Sequence, residues 1–144
     1  HTHQDGKDSF INDVHEHRVW IDGWYYWICR INKQDAEARG IKHHDLVRLH
    51  NDRGGVICAA YVTDRLQLGV VHAYESCAVY APTGKPGASD DIGGCVNLLT
   101  SKRTQTEFTT ASAPNSCLIE VSLHKATSPL RAADRIANLE LQDA

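Results

Sequence analysis

The sequence contains no methionine among its 144 residues. A translated protein ordinarily begins with methionine, so we expect this chain to be a piece of a longer one. No apolar run is long enough to span a bilayer, and the first ten residues, HTHQDGKDSF, lack the apolar centre of a signal peptide. We therefore expect no membrane span and no secretion signal within these residues.

Cysteine is sparse, and its five residues form no CxxC pair: Cys29, Cys58, Cys77, Cys95 and Cys117. The odd count and wide spacing argue against a disulfide framework, and no cluster suits zinc or an iron–sulfur centre. We interpret these residues as small, mostly buried thiols. Such thiols are typical of a reducing compartment, which favours a cytoplasmic location.

Neither sign of charge dominates the chain, whose net charge is -3 with neutral histidines. A nucleic-acid surface needs clustered lysine and arginine, so the composition argues against a nucleic-acid partner. Hydrophobic residues make up 42% and charged residues 23%, as in ordinary globular proteins. A chain of this length is sufficient for one domain with its own core.

Short strands separated by turns dominate the pattern. Asp22-Gly23 lies between two runs of β-branched and aromatic residues, which predicts a β-hairpin. Asn32 is a good helix N-cap and Gly40 a natural stop, which predicts a short helix between them. Further strands are predicted at residues 46–50, 56–63, 69–74 and 117–123, and a C-terminal helix is predicted after Pro129. The sequence therefore indicates a mostly-β barrel with short helices.

A long loop rich in glycine, proline and aspartate, residues 80–94, leads into the segment GGCVNLLT, residues 93–100. Loops of this length in compact domains are often functional. Gly93 and Gly94 allow a close backbone approach or a positive φ. Asn97 offers a donor and an acceptor suited to a purine or pterin edge, and Thr100 adds a hydroxyl. A glycine turn entering a short helix explains the same residues, and spacing alone does not decide between the two.

Histidine is abundant, with nine residues that include three close pairs: His1/His3, His15/His17 and His43/His44. Two histidines spaced HxH on a strand share a face and can bind zinc, but zinc needs three or four protein ligands. The spacing supplies no further ligands. For His43/His44 we favour a polar turn after the helix. A zinc hydrolase that uses the His pairs is an alternative function for the chain.

Two other patterns are considered as sites: a group of residues suited to Cys/His chemistry and a run of aromatic residues. Ser76-Cys77 has His72 and Glu75 nearby, which are the right types for Cys/His chemistry, but the sequence does not show that they converge. GxSxG, GxGxxG and Walker A motifs are absent. The aromatic run WYYW at residues 24–27 is a stacking platform or one strand with alternate rings buried and exposed, and we favour the strand.

The order of these features resembles a known family. INKQDAEARGIKHHDLV, then NDRGG, then VTDRLQLGVVHAY, a long loop, GGCVNLLT and CLIEV are similar to the C-terminal dinucleotide-binding domain of molybdopterin oxidoreductases of the dimethyl sulfoxide reductase type. Lys33 stands where the family pattern has proline, and His44 where it has glycine. HTHQDGKDSFIND and VVHAYESCAVY further resemble the large subunits of the pyrogallol–phloroglucinol transhydroxylase subfamily, which act on phenolic compounds.

The resemblance implies a six-stranded double-psi β-barrel of the aspartate decarboxylase type. It implies a domain that binds molybdopterin guanine dinucleotide, in the bis form with Mo or W, jointly with the other domains of a large subunit. The metal ligand and any iron–sulfur cluster would belong to those domains or to a small subunit. Carried over by position, the residues that would contact the cofactor are Thr2, His3, Gly93, Gly94, Asn97 and Thr100.

We therefore expect one domain, with an entering arm at residues 1–14, a barrel at 15–124 and a tail at 125–144. It would bind cofactor without being catalytic alone. A double-psi adaptor that binds protein partners is an alternative, which would predict an apolar surface groove. A self-processing decarboxylase of the same barrel type is disfavoured, because the chain has no Gly-Ser dipeptide.

Overall fold

The computed structural model describes residues 17–74, 80–101 and 117–125. These residues form six strands, one short α-helix and one short 3-10 helix. In chain order they are β1 (Arg18–Ile21), β2 (Trp24–Asn32), α1 (Lys33–Ala38), β3 (Leu46–Asn51), β4 (Gly54–Thr63), β5 (Val71–Ala73), the 3-10 helix (Val96–Leu99) and β6 (Glu120–Leu123). The fold is mostly β with few helices, as the sequence indicates. No helix in these ranges has the length and apolarity needed to cross a membrane.

The strands form one sheet in the order β1-β2-β4-β3-β6, and β5 also pairs with β2. The pairing of β2 with β4 is parallel, and the other pairings are antiparallel. β2 is long enough to pair with β1 through its first half and with β4 and β5 through its second half. Within the described ranges this sheet does not close into a barrel.

The predicted hairpin and helix are confirmed, and each has a local cause. Asp22 and Gly23 both have positive φ, at 51° and 88°, which is the backbone of a type I′ hairpin turn. Asn32 caps α1 by accepting a hydrogen bond from the Gln34 amide at 2.8 Å. Gly40 follows the helix with a φ of 66°, the left-handed conformation that favours glycine.

The predicted strands are present with different bounds. β5 covers only Val71–Ala73 of the six residues predicted, and β6 begins at Glu120 rather than at Cys117. The predicted C-terminal helix and the whole entering arm, residues 1–14, lie outside the described residues. Strand ends are decided by which neighbour supplies hydrogen bonds, and the residue pattern alone does not specify this.

The sheet is buried on both faces, with one apolar cluster on each side. Cys29 and Ile31 belong to one cluster and Ile28 to the other, as the alternation of side chains along a strand requires. Cys29 and Cys58 are buried in the first cluster, which confirms the prediction of buried thiols for these two residues.

The aromatic run lies on one strand, as favoured, but the expected alternation of buried and exposed rings is wrong. Trp24, Tyr26 and Trp27 are all buried, and Tyr25 is half-buried. All three buried rings belong to the second apolar cluster, and Trp27 also packs against the backbone at Gly94. The Trp24 indole Nε1 also donates a hydrogen bond to the Ile92 carbonyl at 3.0 Å, which ties this strand to the long loop.

Candidate functional site

The buried carboxylate of Asp91 organises the long loop. Asp91 is 0% exposed. Its Oδ1 accepts hydrogen bonds from the amides of Ala81 at 2.6 Å and Gly93 at 3.1 Å, and its Oδ2 accepts one from the Cys95 amide at 2.7 Å. Three amide donors satisfy a buried carboxylate well. The two ends of the loop are therefore joined through one side chain.

The same part of the loop is attached to the sheet. The Asp91 amide donates to the Gly55 carbonyl at 3.0 Å, and the Ile57 amide donates to the Asp91 carbonyl at 2.8 Å. Next to it, the Arg48 guanidinium forms a two-point ion pair with Asp90, at 2.7 and 2.9 Å. The loop thus approaches residues 93–100 from a fixed position on β3 and β4.

Asp91 was not among the site residues expected from the sequence. A signal for it exists, because aspartate side chains often accept hydrogen bonds from amides a few residues further along the chain. Asp91 precedes Gly93 and Cys95 by two and four residues. Its bond to Ala81, ten residues earlier, is not a local signal.

Gly93 and Gly94, the last two residues of this loop, are buried. Gly94 has a φ of 87°, and a Cβ there would overlap the indole of Trp27. The close approach that Gly94 allows is therefore to a protein side chain. The positive φ matches the conformational role expected of the glycine pair.

Asn97 and Thr100 lie at the 3-10 helix, three residues apart. The Thr100 hydroxyl donates to the main-chain carbonyl of Asn97 at 2.9 Å, so the lone pairs of its Oγ1 remain available as acceptors. Asn97 is exposed, and its side-chain amide makes no hydrogen bond within residues 17–74, 80–101 and 117–125. This side chain therefore has both a donor and an acceptor to offer.

A cavity of about 570 Å³ lies beside these two residues. Its floor reaches the first apolar cluster at Ile31 and Leu49. Polar side chains are spread around it: Asp35, Arg39, His72, Asn97, Thr100 and Cys117. The volume is within the range of about 300–1,000 Å³ that small-molecule sites occupy, and the mix of apolar walls and few polar groups is typical of them.

The structure thus brings two of the six expected cofactor residues to one cavity. Asn97 and Thr100 line it, whereas Gly93 and Gly94 are not among its lining residues. Thr2 and His3 lie outside the described residues.

Further lining residues come from α1 and from the turn before β5. The Asp35 carboxylate accepts a hydrogen bond from the Gly69 amide at 2.7 Å and lies 3.7 Å from the Arg39 guanidinium. The i,i+4 spacing of Asp35 and Arg39 on the helix explains this ion pair. The sequence did not indicate that either residue belongs to a site, because Asp35 and Arg39 are about 60 residues from Asn97 along the chain.

His43 and His44 form a turn between α1 and β3, as favoured. Their rings are in contact, with centroids 4.0 Å apart and planes tilted by 34°, and His43 Nδ1 accepts a hydrogen bond from the Val62 amide. His44 has a φ of 67°, a left-handed conformation at the position where the family pattern has glycine. Burial lowers the pKa of His44, and the charge of His43 adds to this effect.

The described residues do not support the metal site considered for the histidine pairs or the nucleophile site considered near Cys77. Across the three described ranges, no group of three or more His, Cys, Asp or Glu side chains is arranged to bind a metal ion. Of the Cys/His set, Cys77, Ser76 and Glu75 lie outside those ranges. His72 instead contacts the Arg30 guanidinium, with its Nδ1 3.3 Å from Nη1.

Comparison with known proteins places these features in a family context. Residues 7–118 match the family described as "Molydopterin dinucleotide binding domain". The pyrogallol hydroxytransferase large subunit of Pelobacter acidigallici is 54% identical over 121 residues, which are 84% of this chain and 14% of that protein. The dimethyl sulfoxide/trimethylamine N-oxide reductase of Rhodobacter capsulatus is 36% identical over 103 residues, 70% of this chain and 12% of that protein.

A third relative has the same partial coverage. The trimethylamine-N-oxide reductase of Vibrio vulnificus is 38% identical over 90 residues, 62% of this chain and 11% of that protein. The chain therefore spans about one seventh or less of the length of these relatives. It corresponds to one domain of proteins that are much larger.

Proposed function

The chain belongs to the molybdopterin dinucleotide binding domain family, and on this basis we propose that it binds molybdopterin guanine dinucleotide. It does so as one domain of a larger large subunit. The cofactor is the bis form with Mo or W, and other domains of the subunit hold much of it. When bound, that group supplies a metal centre for oxygen-atom and electron transfer, and this domain alone is not catalytic.

One observation carries the assignment of the site. The exposed Asn97 lines a cavity with many apolar lining residues, to which Asp35, Arg39 and His72 also contribute. A flat heterocycle with polar edges needs apolar surface for its faces and a few directed hydrogen bonds for its edge. Asn97 supplies both a donor and an acceptor, and the Thr100 hydroxyl supplies an acceptor.

The remaining residues have supporting roles in this proposal. Thr2 and His3, in the arm, contact the pterin or the phosphates. Gly93 and Gly94 let the backbone turn directly before Asn97. Asp91 holds the amides of Gly93 and Cys95, so the orientation of the 3-10 helix depends on it. A site carried by a rigid loop loses less conformational entropy when the ligand binds.

Several finer assignments extend the proposal. The complete domain forms a six-stranded double-psi β-barrel. The domain is divided into an entering arm at residues 1–14, the barrel at 15–124 and a tail at 125–144. The large subunit acts on phenolic compounds as a transhydroxylase, for which the similarity to pyrogallol hydroxytransferase is the support. An iron–sulfur small subunit is its partner, and the free thiols of Cys29 and Cys117 are in keeping with a cytoplasmic location.

The test of the cofactor site is a titration of the chain with GDP, the nucleotide end of the cofactor, followed by backbone amide shifts. Saturable shifts are expected at residues 93–100 and at the lining residues on α1 and β5. Asn97→Ala should weaken binding about tenfold, the effect of losing one well-placed pair of hydrogen bonds. Gln34→Ala is the matched control, because Gln34 is an exposed carboxamide on α1 outside the cavity lining.

The outcomes separate the alternatives. Equal affinity in Asn97→Ala and wild type, with shifts still in the cavity, would overturn the role of Asn97. Shifts confined to another surface would overturn the site. Absence of saturable shifts at millimolar GDP would reject nucleotide binding by this domain alone. Assaying the whole large subunit with pyrogallol tests the substrate separately.

A further inference from the structure

Arg30 lies at the centre of a row of side chains that crosses three strands. It is in register with Tyr61 on β4 and with His72 on β5. Residues in register on neighbouring strands share a face of the sheet. Its neighbour Ile31 lines the cofactor cavity whereas Arg30 does not, and successive strand residues point to opposite faces. Of this row, His72 lines the cavity, whereas Arg30 and Tyr61 do not.

Two tyrosine rings and one histidine hold the Arg30 guanidinium. The guanidinium carbon lies 5.5 Å from the centroid of the Tyr61 ring and 5.2 Å from that of the Tyr74 ring, within cation–π range. Nη1 donates a hydrogen bond to the Tyr74 hydroxyl at 2.8 Å and lies 3.3 Å from His72 Nδ1. The side chain is therefore fixed in position before any ligand arrives.

The contact with Arg30 also determines the protonation of His72. A guanidinium has donors and no acceptor, so Nδ1 of His72 must be the acceptor and its proton lies on Nε2. Burial lowers the pKa of His72, and the positive charge of Arg30 lowers it further. The neutral imidazole is therefore favoured near pH 7, so His72 adds no second positive charge beside Arg30.

Arg30 has no carboxylate partner in the part of the chain that the structure describes. Arg39, Arg48 and Arg53 each have one within 4.0 Å in the same ranges. Both polar contacts of Arg30 are made by Nη1. Within the described ranges, the N–H groups on Nε and Nη2 have no protein acceptor. Within those ranges the half-buried guanidinium thus has hydrogen bonds and ring contacts but no counter-ion to offset its lost hydration.

We propose that Arg30, Tyr61, His72 and Tyr74 form a binding site for a phosphate group. The free edge of the guanidinium matches two phosphate oxygens. The Tyr74 hydroxyl accepts from Arg30 and so retains its own proton to donate to a third oxygen. The phosphate is either a free ion or part of a nucleotide, and both present the same oxygens to these donors.

The test is a titration of the chain with inorganic pyrophosphate at constant ionic strength, followed by backbone amide shifts. Saturable shifts are expected at Arg30, Tyr61, His72 and Tyr74. Arg30→Gln should weaken binding about tenfold or more, the loss expected for a two-point charged contact. Arg65→Gln is the control, because it removes the same charge from an exposed turn and should change the affinity less than about twofold.

Two further variants test the geometry and guard against a misfolded protein. Tyr74→Phe keeps the ring and removes the hydroxyl, and should weaken pyrophosphate binding by about threefold to tenfold. Arg30→Lys keeps the charge but removes the planar pair of N–H donors, and should bind pyrophosphate more weakly than wild type. Thermal unfolding of each variant shows whether it is folded, and only folded variants are compared.

A GDP arm distinguishes the two sources of phosphate. If the ligand is a nucleotide that spans to Asn97, both Arg30→Gln and Asn97→Ala should weaken GDP binding. If the site takes a free ion, Asn97→Ala should leave pyrophosphate binding unchanged. Equal weakening by Arg30→Gln and Arg65→Gln would overturn the proposal, since only net charge would then matter. Tighter binding of succinate than of pyrophosphate would overturn it too, and would indicate a surface for a carboxylate of another domain.

Discussion

The guanidinium of Arg48 holds the carboxylate of Asp90 at two points, with Nε 2.7 Å from Oδ2 and Nη2 2.9 Å from Oδ1. Arg48 belongs to β3, and Asp90 directly precedes the buried Asp91. The pair lies over Gly55, where a Cβ would overlap both side chains. The absence of a side chain at Gly55 is thus what allows this ion pair to attach the loop to the sheet.

We expect the Arg48–Asp90 pair to contribute measurable coupling. A double-mutant cycle with Arg48→Gln and Asp90→Asn, read from urea unfolding, should give a coupling free energy of about 1 kcal/mol, because the pair is bidentate and partly buried. The Arg53–Asp52 pair is the control, at 3.3 Å but with Asp52 83% exposed, and should give almost none. Equal coupling for the two pairs would contradict this ranking.

Asp91 should contribute more to stability than Asp90. Asp91→Ala leaves the amides of Ala81, Gly93 and Cys95 without their acceptor, and should lower the free energy of unfolding by about 3–5 kcal/mol. Asp64→Asn, at an exposed position, should change it by less than about 0.5 kcal/mol. Urea unfolding measures both. A loss below about 1 kcal/mol for Asp91→Ala would show that the amides find other partners.

Gly94→Ala combines two costs, and Gly87→Ala isolates one of them. Both glycines have positive φ, at 87° and 76°, which costs an alanine about 1–2 kcal/mol. A Cβ at Gly94 also overlaps the Trp27 indole, whereas none of the neighbouring atoms lies within 4 Å of one at Gly87. Thermal unfolding should therefore show a larger loss for Gly94→Ala, with a change in tryptophan fluorescence. Equal losses would mean that Trp27 moves aside freely.

The features that the sequence predicted correctly depend on neighbours a few residues apart. The Asp22-Gly23 turn and the Asn32 cap each follow from the chemistry of adjacent residues. The choice of Asn97 and Thr100 rested on residue type and on the family resemblance. The cavity beside them agrees with that choice and does not test it.

The features that the sequence did not predict depend on contacts between distant residues. The hydrogen bond between Asp91 and Ala81 joins residues ten apart, and the one from Trp24 to Ile92 joins residues 68 apart. Asp35 and Asn97 line one cavity although they are far apart in the sequence. The expected alternation of the aromatic rings of β2 fails for a similar reason, because Trp27 packs against the distant Gly94.

Protonation of His72 should make the fold less stable in mild acid. Its pKa is lowered in the folded chain by burial and by Arg30, below the ordinary value of about 6.5 that it has when unfolded. Between the two pKa values the unfolded chain binds more protons, so the free energy of unfolding rises with pH there. Stability from this group is complete above about pH 6.5 and is lost as pH falls through the window below it.

The measurement is urea unfolding of wild type and His72→Asn at intervals from pH 7.5 to 5. The pKa values of His44 and His124 are lowered as well, mainly by burial, so a residual slope of the same sign is expected in the variant. The difference between the two proteins isolates His72. If His72→Asn and wild type have the same pH dependence of the free energy of unfolding, protonation of His72 does not contribute to it. Added pyrophosphate should reduce the wild-type slope, because an anion on Arg30 offsets the charge that opposes protonation of His72.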